Sequence, residues 1–118
     1  MDKEIFKIID SIIRDERLYT KPNLVRLDIM RRFGIGRHHL NGQLNTFADG
    51  MSFPQYINSI RMEIAYDLLT NHPEMSLTDI ATEVGFTEPN LREQFKRCYG
   101  VTPAEYRAGL KMDTEEEF

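Results

Sequence analysis

The chain spells nearly the same message twice, and this repeat constrains its fold more than any other feature. One copy runs Leu27…Phe33-Gly34-Ile35…Leu40…Leu44…Gly50-Met51-Ser52-Phe53-Pro54-Gln55-Tyr56. The other runs Leu77…Val84-Gly85-Phe86…Leu91…Phe95…Gly100-Val101-Thr102-Pro103-Ala104-Glu105-Tyr106. Each holds a short apolar pattern of helical period, a glycine-centred break, a second helical pattern, and a closing glycine followed by a capping box. Glycine readily takes the left-handed conformation that ends a helix. Two helix-turn-helix units joined by one long helix are the simplest reading. An irregular bundle with a coincidental repeat is the alternative.

The rest of the chain fits an all-α protein of about seven helices, since strand patterning is nearly absent. Ile5, Phe6, Ile9, Ile12 and Ile13 form the stripe of an opening helix. Asn23 is expected to cap a second helix, with Leu24, Leu27, Ile29 or Met30, and Phe33 inward. A third helix follows from about Arg37, with Leu40, Leu44 and Phe47 on one face. Ser52 to Gln55 open the long helix, with Pro54 in the first turn where its missing N–H costs little. Its stripe of Phe53, Tyr56, Ile57, Ile60, Ile64, Ala65, Leu68 and Leu69 implies a rod of roughly 25 Å, ended by Asn71-His72-Pro73.

Ser76 and Asp79 begin a short helix with Leu77, Ile80, Ala81 and Val84 inward. Thr87 caps a helix from Glu88 to about Tyr99, with Leu91, Phe95 and Cys98 inward. Thr102 and Glu105 start a last turn or two holding Tyr106 and Leu110. The expected parts are a first helix-turn-helix subdomain with its N-terminal helix (1–50), a linking helix (51–71), a second helix-turn-helix subdomain (72–111) and a disordered acidic tail (112–118).

Net charge is −4, but the last six residues carry four acids and no base. Without them the chain is neutral, and residues 21–50 hold five bases against two acids. A neutral body with a local basic patch is compatible with nucleic acid and with much else. The single cysteine, Cys98, excludes an internal disulfide and a cysteine-based zinc site. His38 and His39 are adjacent and so point about 100° apart on a helix, which is wrong for shared metal ligation. No metal and no cofactor are expected. No apolar run reaches the ~20 residues of a membrane helix, and the charged start does not read as a signal peptide. The expected compartment is cytoplasmic, without membrane contact. No glycine loop, nucleophile elbow or paired-carboxylate spacing points to an enzyme.

Ile80-Ala81-x-x-Val84-Gly85-Phe86, then Phe95-Lys96-x-x-Tyr99-Gly100-Val101-Thr102-Pro103-x-x-Tyr106-Arg107, resembles the C-terminal signature of the AraC family of bacterial transcription regulators. The stretch Met51 to Ile57, with Arg61-Met62-Glu63-x-Ala65-x-x-Leu68-Leu69, is similar to that family's linking helix. The resemblance covers about Lys21 to Leu110. It implies a DNA-binding module of two helix-turn-helix subdomains, with Arg37–Thr46 and Glu88–Arg97 as the helices that enter the major groove. The chain departs from the family pattern at Met30, where a small alanine is usual, and at Gly36, where a capping serine is usual. The stretch from Arg37 to Gly50 is one residue longer than the pattern, and the turn Thr87–Asn90 one shorter.

On these helices, positions away from the apolar stripe are the candidates for contact with double-stranded DNA. They are Arg37, His38, Asn41 and Asn45 on the first, and Asn90, Arg92, Glu93, Lys96 and Arg97 on the second. Arginine bridges guanine's two acceptors, asparagine pairs with adenine, and glutamate accepts from cytosine's amine. Lys96 and Arg97, late in their helix, suit phosphates. Glu93 repels phosphate unless it finds a cytosine or an arginine partner. By resemblance, further partners are RNA polymerase and an N-terminal effector or dimerisation domain, the chain being either a stand-alone regulator or a C-terminal piece. The rival reading is a helical protein-interaction module of the same fold that has lost specific DNA binding, to which Met30, Gly36, Gly42 and the acidic balance point.

Overall fold

The computed structural model describes residues 2–116, and among them the chain is helical, with seven α-helices, one 3-10 turn and no strand. It divides into two compact units, up to Ile60 and from Arg61 on.

The first unit holds α1 (Asp2–Asp15), the 3-10 turn Leu18–Thr20, α2 (Arg26–Phe33), α3 (Arg37–Phe47) and the start of α4 (Phe53–Asn71). Ile9 and Ile13 of α1, Tyr19, Ile29 of α2, Leu40 and Leu44 of α3, and Phe53, Tyr56, Ile57 and Ile60 of α4 are all buried. Phe6 lies 5.7 Å from both Phe47 and Tyr56, ring centre to ring centre, so α1 meets α3 and α4 through one aromatic group. The Tyr56 hydroxyl donates to Asp10, which also accepts from Arg14 at 3.0 Å. The guanidinium of Arg32 grips both oxygens of Glu16, tying α2 to the residues after α1.

The second unit takes the rest of α4, α5 (Leu77–Val84), α6 (Glu88–Tyr99) and α7 (Pro103–Glu116). Met62, Ala65, Leu69, Ile80, Ala81, Val84, Phe86, Leu91 and Phe95 form its core. Arg61 is buried too, its guanidinium 5.7 Å from the Phe86 ring centre, and burial pulls its pKa below the usual arginine value. Phe95, Tyr66, Tyr99 and Tyr106 pack ring on ring between α4, α6 and α7.

Of the expected capping boxes, two close in both directions and one through its hydroxyl alone. Ser52 N–H donates to Gln55 Oε1 at 3.0 Å, and Gln55 N–H returns to Ser52 Oγ at 3.3 Å. Thr102 and Glu105 make the same exchange at 3.2 and 3.1 Å. Ser76 Oγ accepts from Asp79 N–H at 3.0 Å. The repeat is also a repeat of backbone conformation: Gly34 and Gly85 have φ of 63° and 88°, Gly50 and Gly100 of 74° and 79°.

Four local expectations need correction. The cap of α2 is Val25, not Asn23; the group that satisfies the helix start is Asp28 Oδ2, accepting from Val25 N–H at 2.9 Å. The chain before it is already committed to a turn, Leu24 N–H donating to Lys21 O at 3.2 Å. Leu27 is 46% exposed, because α2 turns Ile29 to the core instead. Cys98 is exposed: the last turn of α6 runs beyond the packed surface, and Tyr99 there meets other rings. Finally, α7 is longer than a turn or two. It continues to Glu116 through helix-favouring Leu110, Lys111 and Met112, so 112–116 are helical rather than a disordered tail. Residues 117 and 118 lie outside the described residues.

Candidate nucleic-acid interface

Each candidate helix is set by the helix and turn before it. In the second unit, Gly85 ends α5 in the left-handed conformation, its N–H donating to Thr82 O at 3.3 Å, and Phe86 N–H reaches back to Ala81 O at 2.8 Å. Thr87 then caps α6, its Oγ1 accepting from Asn90 N–H at 3.2 Å. Thr78 Oγ1, in the first turn of α5, donates to Glu88 Oε2 at 2.7 Å and links the starts of the two helices. Leu91 and Phe95 are fully buried, which fixes the rotation of α6 about its own axis. Asn90, Arg92, Glu93, Lys96 and Arg97 are consequently all exposed.

In the first unit, Gly34 closes α2, Ile35 N–H donating to Met30 O at 3.1 Å. Gly36 begins α3 without any side-chain cap. Leu40, Gln43 and Leu44 are buried, and Arg37, His38, Asn41, Gly42 and Asn45 are exposed. Gln43 is the surprise of this helix, a polar residue 4% exposed. Helical spacing does place it beside Leu40 and Leu44, but its polarity hid the burial. A Cβ built on Gly42 meets nothing within 4 Å, so that glycine is not there to make room within the chain.

The electrostatics of the two faces differ. α3 offers Arg37 with two neutral asparagines and His38. On α6, Arg97 Nη2 lies 3.1 Å from Glu93 Oε1, and Arg92 Nη2 lies 3.9 Å from Glu88 Oε1. Glu93 thus has the arginine partner that its place on this face requires.

Two positioning residues were not assigned a role from the sequence. Arg107 donates to the carbonyl oxygens of Met75, His72 and Leu69 at 2.5, 2.9 and 3.4 Å, closing the end of α4 and the loop after it. It was visible only as part of the closing motif. Arg61, beneath Phe86, gave no signal beyond its place in the long helix.

Comparison with known proteins bears on what these faces are for. Residues 29–109 match a family described as a helix-turn-helix domain. The chain belongs to the AraC-type helix-turn-helix family. This AraC-type domain is 31% identical over 114 residues to the HTH-type transcriptional regulator MtrA of Neisseria gonorrhoeae, covering 90% of the chain and 34% of the relative. It therefore spans about a third of that protein's length.

Among solved structures, the C-terminal domain of the two-component response regulator yesN from Fusobacterium nucleatum is similar at a TM-score of 0.71 and 29% identity, over 86% of this chain and 95% of that one. The C-terminal domain of AraT, a response regulator from Geobacillus stearothermophilus, shares the fold at a TM-score of 0.72 and 24% identity, over 92% and 84%. A DNA-binding transcriptional dual regulator from Escherichia coli K-12 shares it at 0.69 and 20%, over 87% and 94%. The family is one of DNA-binding regulators, not of enzymes. Among the described residues no helix is long and apolar enough to cross a membrane.

Proposed function

We propose that the chain binds double-stranded DNA by sequence, with α3 and α6 as reader helices in successive major grooves, and so regulates transcription in a bacterium. One observation carries the reading. Both helices bury one side behind a helix-ending glycine and leave a polar face of arginine, asparagine and, on α6, lysine and glutamate to solvent. That is the residue chemistry of base edges and phosphates. Arg37, His38, Asn41 and Asn45 are the proposed contacts of the first helix, and Asn90, Arg92, Glu93, Lys96 and Arg97 those of the second.

The AraC-type membership supports the same reading. By extension we assign RNA polymerase as the partner through which binding acts, and an N-terminal effector or dimerisation domain as a further partner. The place of action is the cytoplasm, where the DNA lies.

Selection of binding sites from random duplex DNA tests the proposal, followed by footprinting. The expected result is one enriched sequence protected in two blocks about one helical turn, ~34 Å, apart, with affinity falling steeply as salt rises. Enrichment of no sequence overturns it. So does affinity that is insensitive to salt, as a hydrophobic protein contact is.

A further inference from the structure

Each arginine of α6 has a carboxylate one turn ahead of it. Glu88 stands 3.9 Å from Arg92, and Glu93 stands 3.1 Å from Arg97. The second pair lies far out on the surface, its side chains 65% and 67% exposed. An exposed pair of this kind contributes little to folding stability. Its consequence is for whatever approaches that face. A phosphate arriving there meets an arginine already engaged and a carboxylate that repels it.

Resting on the DNA-reading function above, we propose that Glu93 is a specificity-determining residue of α6. It penalises DNA in general and accepts from the exocyclic amine of a cytosine at the preferred site. An ionised carboxylate can only accept hydrogen bonds. In the major groove, guanine presents O6 and N7, and thymine presents O4, all of them acceptors that repel Glu93. Adenine sets its amine beside the acceptor N7, while cytosine offers a donor alone. When Glu93 turns to that amine, Arg97 is freed for a phosphate. The correct site thus gains a cation contact that other DNA does not, and discrimination comes as much from the cost imposed on wrong sequences as from the bond to the right one.

The test compares the whole chain with its Glu93→Gln variant, in which the change is nearly isosteric and lies at an exposed position. For the unaltered chain, selection from random duplexes should enrich cytosine at one position of the α6 half. It should prefer cytosine there about 5- to 150-fold, the equivalent of ~1–3 kcal/mol. Glutamine pairs with adenine's donor and acceptor together, so Glu93→Gln should move that position from cytosine to adenine. The variant should also bind random-sequence duplex several-fold more tightly at low salt, with a logarithmic salt slope steeper by about one phosphate. The inference is overturned if the variant selects the same base and binds random duplex with the same affinity and slope. If the unaltered chain enriches no sequence, the DNA-reading function itself fails and takes this inference with it.

Discussion

The guanidinium of Arg107, on α7, donates to the main-chain oxygen of Met75 at 2.5 Å and to that of His72 at 2.9 Å. One side chain thereby holds the loop that carries α4 into α5, whose carbonyls have no helical partner of their own. Truncation as Arg107→Ala leaves the half-buried Met75 oxygen without its donor, at a cost of about 1–3 kcal/mol, while the exposed His72 oxygen keeps the Met75 N–H. Arg107→Lys keeps the charge but not the planar fork, and should recover only part of the loss. Urea midpoints of the three proteins check this. Equal midpoints for all three would mean that water replaces the guanidinium without penalty.

Gly85 is held at φ 88°, between α5 and the proposed reader helix α6. A β-branched residue there is forced into a conformation that L side chains rarely adopt. Gly85→Val should therefore cost more than the ~1 kcal/mol of an ordinary point mutation, and lower DNA affinity by misplacing Glu88–Arg97. Gly85→Asn should be milder, because asparagine visits the left-handed region. Thermal melts and duplex titrations of the two variants provide the comparison. A valine variant as stable as the glycine protein contradicts the argument.

Gly42 lies inside α3 on an exposed face, with open space where a Cβ would go. A helix-interior glycine costs roughly 0.5–1 kcal/mol relative to alanine. Gly42→Ala should raise the urea midpoint accordingly. A lower midpoint would contradict the open space at that position.

Glu105 is held below the usual carboxylate pKa of 4.5 by its bonds to Thr102, and Glu16 below the same value by Arg32. In the unfolded chain both return to their ordinary values, so the native state binds fewer protons than the unfolded one in this range. Their stabilisation is then present above about pH 4.5 and is lost as pH falls through that value and below it. Melting temperature should be flat near neutrality and decline on the acid side. Glu105→Gln, which cannot titrate, should show a shallower acid decline than the parent. An identical decline would remove Glu105 from the account.

The repeat, the capping boxes and the glycine breaks were legible because each is a local rule: a hydroxyl meets an N–H three residues on, or a residue without Cβ permits a positive φ. Thr87 with Asn90 and Ser52 with Gln55 could be read from spacing alone. What the sequence hid depends on where a helix lies against its neighbours. Leu27 and Cys98 carry apolar spacing but fall beyond the packed surface, while polar Gln43 falls within it. Arg107 serves carbonyls 32 to 38 residues away, a separation at which periodicity carries no information. On the candidate faces, the exposure of His38, Asn45, Glu93 and Lys96 followed from their helical angle opposite the apolar stripe. The pairing of Glu93 with Arg97 was one of two alternatives that the sequence left open.

Asn41 and Lys96 sit on different proposed reader helices, both exposed, and differ in the one property that separates base readout from backbone attraction. Asn41 is uncharged and has the donor and acceptor that match adenine, so Asn41→Ala should relax preference at one base pair, by ~1–3 kcal/mol, with the salt slope intact. Lys96 is a point charge late in α6. Lys96→Ala should weaken all duplexes similarly and reduce the salt slope by about one. Arg92 falls between them: it lies 3.9 Å from Glu88, which is itself held by Thr78, and is early enough in α6 to reach a guanine. Arg92→Ala should cost sequence preference more than general affinity, since part of its charge is already balanced. Titrations of the three variants against one selected site and one random duplex, each at several salt concentrations, separate the outcomes. If all three bind both duplexes as the parent does, these helices do not read DNA.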